Sequence, residues 1–112
     1  MKRARRCPLY VAGAGALLLA ISPAAAAPRT YTVVVDKLKF GPLPASVHKG
    51  DAIVWINKDI LRHTATAADH SFDVDLQPGK AGKTVLRKTG AIPFVCRFHP
   101  GMRGVLQVKL AR

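Results

Sequence analysis

Glutamate is absent from this sequence, and all six acidic residues are aspartates. Set against eighteen Lys and Arg, they leave a formal charge of +12. A surface so short of negative charge speeds encounter with acidic partners. Cysteine is almost as scarce, with only Cys7 and Cys96. Aromatic residues number seven, and beyond the first six positions the basic residues are scattered along the chain rather than gathered into a stripe. That distribution argues against a nucleic-acid interface. Helical periodicity is missing from every window, which excludes bundles and coiled coils. Internal repeats, linkers and low-complexity segments are missing too.

One long apolar run is present, Leu9 to Ile21, and it is too short to span a bilayer comfortably. Lys2, Arg3, Arg5 and Arg6 precede it, and Ser22-Pro23-Ala24-Ala25-Ala26-Ala27 follows. A basic start, a short apolar core and a small-residue stretch form the layout of a cleavable secretory signal. The expected cut, after Ala24-x-Ala26, divides the chain into a leader, residues 1–26, and one domain, residues 27–112. The product would be periplasmic, with no membrane attachment after cleavage. Processing removes Cys7 and four basic residues, leaving fourteen Lys and Arg against six Asp, about +8. A single thiol then enters an oxidising compartment with no partner for an internal disulfide. Such a cysteine needs a purpose, and metal ligation provides one.

The rest of the chain reads as short strands separated by turns. Tyr31, Val33 and Val35 alternate with Thr32, Val34 and Asp36, and Phe40-Gly41-Pro42-Leu43-Pro44 breaks the pattern. Ser46–His48 is a short extended piece, Lys49-Gly50-Asp51 a turn and Ala52–Asn57 a clear strand. Lys58–Arg62 is a loop delivering His63, with room for a short strand over Thr64–Ala67. Ala68–Gly82 reads as a polar excursion. Strands follow at Lys83–Arg87, Ala91–Cys96 and Gly104–Leu110. Six or seven strands with turns every eight to twelve residues predict an all-β, antiparallel sandwich or barrel. His48 and His70 lack a chemical context and are expected on the surface, Trp55 in the core.

The chemistry concentrates in Cys96-Arg97-Phe98-His99-Pro100-Gly101-Met102. A thiol, an imidazole and a thioether recur at three-residue intervals, and Pro100-Gly101 folds the loop back on itself. Thiolate, imidazole and a weak thioether form the donor set of a blue-copper electron-transfer site, which needs a second histidine. His63 is the best upstream candidate. The predicted ligands are His63, Cys96 and His99 in one plane, with Met102 on the axis. Zinc fits less well, since a structural zinc site needs four strong ligands and this set has three.

Phe40-Gly41-Pro42 to Val47, Gly50-Asp51-x-Ile53-Val54-Trp55-x-Asn57-x-Asp59, His63-Thr64 and Cys96-x-x-His99-Pro100-Gly101-Met102-x-Gly104 resemble the cupredoxins over nearly all of Thr30–Leu110. The match is nearest the plastocyanin, pseudoazurin and amicyanin branch, and the short ligand loop is amicyanin-like. The resemblance implies a Greek-key β-sandwich holding one type 1 copper, cycling between Cu(I) and Cu(II), with these four ligands. It also implies that His99 is the electron port within an apolar patch, to which Pro42, Phe98 and Pro100 contribute. Thr64 stands where many members have Asn, and its hydroxyl can tie the two ligand loops together. The expected function is an exported, monomeric, non-enzymatic carrier passing single electrons between redox proteins with acidic docking surfaces. The alternative is a periplasmic copper-binding protein for storage, delivery or sensing. It is disfavoured because the chain has no Met- or His-rich tract.

Overall fold

The computed structural model describes residues 2–21 and 26–112. Residues 2–21 form neither helix nor strand, and no described helix is long and apolar enough to cross a membrane. Most of the small-residue stretch carrying the expected cleavage site lies outside the described residues.

Nine strands follow: β1 Thr30–Asp36, β2 Lys39–Phe40, β3 Val47–His48, β4 Ala52–Asn57, β5 His63–Ala67, β6 Asp73–Leu76, β7 Ala81–Val85, β8 Gly90–Val95 and β9 Arg103–Lys109. One sheet has the order β2-β1-β4-β7, the other β3-β9-β8-β5-β6. The all-β sandwich read from the sequence is therefore present, but its sheets are mixed rather than purely antiparallel. β1 runs parallel to β4, and β3 parallel to β9. After β2 the chain crosses to the second sheet through β3 and returns, so β4 meets β1 in the same direction.

The core is built from alternate residues of both sheets. Val33, Val35, Ile53, Trp55, Phe94 and Leu106 are all almost fully enclosed. Phe94 packs edge-on against Phe40, centroids 4.8 Å apart, and against Trp55 at 5.2 Å. These contacts add specific aromatic attraction to apolar burial. Trp55 donates Nε1–H to Thr84 Oγ1 at 3.4 Å, which satisfies its only polar atom.

Local differences from the sequence reading have physical causes. The excursion over Ala68–Gly82 contains β6 and the start of β7. Asp73 and Asp75 disguise β6 because aspartate is a poor strand former, yet Val74 and Leu76 face the core. β7 begins two residues before the expected strand. Gly82 must be a glycine there, since a Cβ would collide with Val74. His70 is exposed as expected, whereas His48 is half-buried. The Lys49-Gly50-Asp51 turn exists, closed by the Asp51 amide on the His48 carbonyl at 2.9 Å. Its Asp51 is fully buried, accepting from the amides of Arg29 and His48 at 2.9 Å and from the Arg112 guanidinium.

Candidate metal centre

β5 and β8 are antiparallel neighbours, with Thr66 opposite Val95. The first residue of β5 and the residue following β8 therefore lie at the same end of the sandwich. These residues are His63 and Cys96. The loop after Cys96 is closed by backbone bonds: the Cys96 amide donates to the Met102 carbonyl at 3.0 Å and the Met102 amide to the His99 carbonyl at 2.8 Å. The second bond makes the Pro100-Gly101 turn that the sequence predicts, and it brings His99 back over the thiol.

Cys96 Sγ lies 3.7 Å from His63 Nδ1 and 3.8 Å from His99 Nδ1. The three ligand atoms all fall within 4.8 Å of one another. Nitrogens about 2.0–2.1 Å and a sulfur about 2.3 Å from one ion in a trigonal arrangement stand roughly 3.8 Å apart. Both sulfur–nitrogen distances thus match the spacing of ligands on a single ion. Cys96 and His63 are fully enclosed and His99 half-buried. Met102 is buried as well, and its backbone fixes it in the same loop.

Surrounding hydrogen bonds hold two of the donors, Cys96 and His63. The Thr64 amide donates to Cys96 Sγ at 3.3 Å, which fixes the sulfur against the start of β5. The Arg97 amide donates to Thr64 Oγ1 at 2.9 Å, tying the two loops as the sequence reading anticipates. Thr64 Oγ1 lies 2.9 Å from Thr66 Oγ1, which donates to Asp73 at 2.8 Å. Since Thr66 spends its proton on the carboxylate, Thr64 is the donor between the two hydroxyls. The chain of donors therefore runs outward from the loop and ends on a negative charge.

His63 has a partner that the sequence reading did not single out. Its Nε2 lies 2.9 Å from Asp59 Oδ2. A carboxylate at Nε2 makes that nitrogen the protonated one and leaves the Nδ1 lone pair facing the thiol. The bond to His63, with help from the amides of Leu38 and Ile60, holds the Asp59 carboxyl below the usual carboxylate range. Asn57, buried, braces this loop. Its side-chain amide donates to the carbonyls of Leu61 at 2.8 Å and Leu76 at 2.9 Å, while its oxygen accepts from the Asp59 amide at 2.9 Å. An acid four residues before the candidate histidine was the available signal for Asp59. Leu38, Ile60 and Leu61 were also passed over, and they expose apolar side chains next to the Asn57–Asp59 segment, Ile60 at 88%.

The chain matches the model of the cupredoxin-like domain over residues 9–108. Among solved structures it is similar to a reduced amicyanin carrying a proline-to-phenylalanine substitution. Identity is 23%, coverage 71% of this chain and 82% of that one, and TM-score 0.62. It is also similar to a Cu(I) amicyanin with a methionine-to-alanine substitution, at 22% identity, 78% and 87% coverage and TM-score 0.63. A purple cupredoxin from Nitrosopumilus maritimus matches at 18% identity over 70% of this chain and 99% of that one, TM-score 0.58. These likenesses establish the fold. None of the curated proteins matches the sequence.

Proposed function

The chain belongs to the cupredoxin-like family, and on that premise we propose that it is an exported mononuclear type 1 copper protein carrying single electrons between redox proteins. The observation that carries this reading is the convergence of His63 Nδ1, Cys96 Sγ and His99 Nδ1 at one end of a rigid sandwich. His63, Cys96 and His99 would hold one copper, with Met102 as a weaker fourth donor. When bound, copper would supply one-electron chemistry between Cu(I) and Cu(II).

The protein's own part is positioning. β5 and β8 fix His63 and Cys96, and the loop bonds fix His99 and Met102, so the donors need to move little as an electron arrives or leaves. Asp59 sets the tautomer of His63, and the Thr64 amide holds the Cys96 sulfur. His99, less enclosed than His63, provides the edge through which an electron enters or leaves. The exposed Leu38, Pro42, Ile60, Leu61, Phe98 and Pro100 would supply an apolar docking face. With four ligands engaged, no position remains for a substrate, and the protein acts as a carrier rather than an enzyme. Cleavage after residue 26 would release it as a monomer into the periplasm.

Positive charge selects the partners. Four of the six aspartates lie beside a cationic group, Asp51 with Arg112, Asp69 with Lys88, Asp73 with Arg97 and Asp75 with Arg62, and a fifth, Asp59, is taken up by its bond to His63. Little free negative charge is left to repel an acidic partner surface.

The test is titration of residues 27–112, free of metal, with Cu(II) under visible and EPR detection. An intense blue thiolate-to-copper band with narrow hyperfine splitting, lost in Cys96→Ala, is the expected result. A colourless, tetragonal Cu(II) signal would overturn the carrier assignment in favour of storage or delivery.

A further inference from the structure

Phe98 stands between Cys96 and His99, yet its ring is half-exposed and outside the core cluster. Two guanidiniums hold it instead. Cζ of Arg62 lies 4.8 Å from the ring centroid and Cζ of Arg97 6.0 Å. Each arginine is itself anchored on β6. Arg62 grips Asp75 with two bonds, Nε to Oδ1 at 2.8 Å and Nη2 to Oδ2 at 3.1 Å. Nη2 of Arg97 stands 3.4 Å from Asp73 Oδ1. Asp73 and Asp75, two residues apart, face the same outer side of the strand.

The anchored residues are neighbours of the candidate ligands. Arg62 precedes His63, Arg97 follows Cys96, and Phe98 precedes His99. β6 is also where the Thr64–Thr66 hydroxyl chain ends, on Asp73.

We infer that Arg62, Arg97 and Phe98, fastened to Asp73 and Asp75, form a bolt that orders the Cys96–His99 loop before any metal is bound. The ordering itself does not depend on the copper reading. Only its consequence for electron transfer rests on that reading. Arg62 suits the task because a planar guanidinium hydrogen-bonds a carboxylate through its edge while presenting its face to an aromatic ring. Lysine keeps the charge but loses both the fork and the stack. Because the ion pairs are half-exposed, they add little to global stability. Their removal is therefore felt as local disorder rather than as unfolding.

The experiment is 15N relaxation on the metal-free protein for wild type, Arg62→Ala, Arg62→Lys and Asp75→Asn. Lys88→Ala serves as control, since it breaks the remote Asp69–Lys88 pair. The order parameters of the Arg97, Phe98 and His99 amides are expected to fall from about 0.85 to below about 0.6 in the three bolt variants. Lys88→Ala should leave them unchanged, and melting temperatures should stay close to wild type in all four. Unaltered loop order in Arg62→Ala or, should that variant fail to fold, in Arg62→Lys and Asp75→Asn, overturns the bolt. In the copper-loaded protein the same variants should slow electron self-exchange, and an unchanged rate would overturn the electron-transfer consequence. A wild-type protein that gives no blue band refutes the copper assignment while leaving the relaxation result standing.

Discussion

Replacing Asp59 by Asn removes one charge and keeps the side chain's shape, so it isolates what the carboxylate does for His63. The bond is 2.9 Å long, His63 is completely enclosed, and the Asp59 side chain is only 12% exposed. Water cannot readily take the place of the carboxylate, which sets the effect toward the upper part of the 10–100-fold loss in metal affinity usual for such partners. The carboxylate strengthens His63 as a donor, and Cu(II) depends on donor strength more than Cu(I) does. For each tenfold excess of the loss in Cu(II) over Cu(I), the reduction potential rises by about 59 mV. The expected phenotype is a potential higher by roughly 60 mV, with Cu(II) affinity reduced and the blue band retained. Competitive titrations with each oxidation state, together with protein-film voltammetry, supply the three quantities. Unchanged affinity and potential in Asp59→Asn would reduce Asp59 to a loop cap, holding only the amides of Leu38 and Ile60.

Three further outcomes follow from other parts of the molecule. Burial alone would raise the Asp51 carboxyl, but the Arg112 guanidinium and the amides of Arg29 and His48 outweigh it and lower its pKa to about 2. A depressed folded-state pKa contributes stability that is complete above the ordinary 3.8 and lost as pH falls toward 2, worth about 2 kcal/mol. Urea unfolding of the metal-free protein should lose that amount between pH 5 and 2, and in Asp51→Asn the acid limb should flatten; an unchanged limb contradicts the assignment. Gly104→Ala would place a Cβ 2.6 Å from the Phe94 ring. That ring is pinned by Phe40 and Trp55, so overpacking should cost about 1–3 kcal/mol and lower Tm by roughly 4–8 °C for each kcal/mol; a melt matching wild type would refute it. Finally, oxidation of the reduced protein by hexacyanoferrate(III) should slow steeply from low to high salt, while a cationic cobalt(III) oxidant should speed up. Insensitivity to salt would remove the argument for acidic partners.

The parts of this site that were legible in the sequence are those fixed by local spacing. Cys96, His99 and Met102 sit within seven residues, and Pro100-Gly101 announces the turn that gathers them. β4 was read to the residue because Ala52–Asn57 is apolar and bounded by turn signals. Asp59 was not legible as a partner of His63, since many acids lie four residues from a histidine without touching it. β6 was hidden for a related reason. Its aspartates weaken the strand pattern, and what offsets them is a pair of arginines 13 and 24 residues away in sequence. The parallel pairings β1–β4 and β3–β9 were equally invisible, because periodicity gives the faces of a strand and not its direction.

That division bears on how the fold serves the site. Histidine, cysteine and methionine could be gathered by a loop of the same sequence on many scaffolds, but the groups that set their tautomers and their order come from four separate segments: Asn57–Asp59, Thr64–Thr66, Asp73–Asp75 and Arg97. These meet only because β5 pairs with β8 on one side and β6 on the other. The register is what matters. Thr64 lies opposite Asp75 and Thr66 opposite Asp73, so slipping β6 by one residue would turn both carboxylates toward the core and the apolar Val74 and Leu76 outward. The burial of Leu76 against the core thereby fixes the position of two surface carboxylates, and through them the arginines beside the ligand loop. In this protein the support of the candidate metal centre is a consequence of core packing one strand removed.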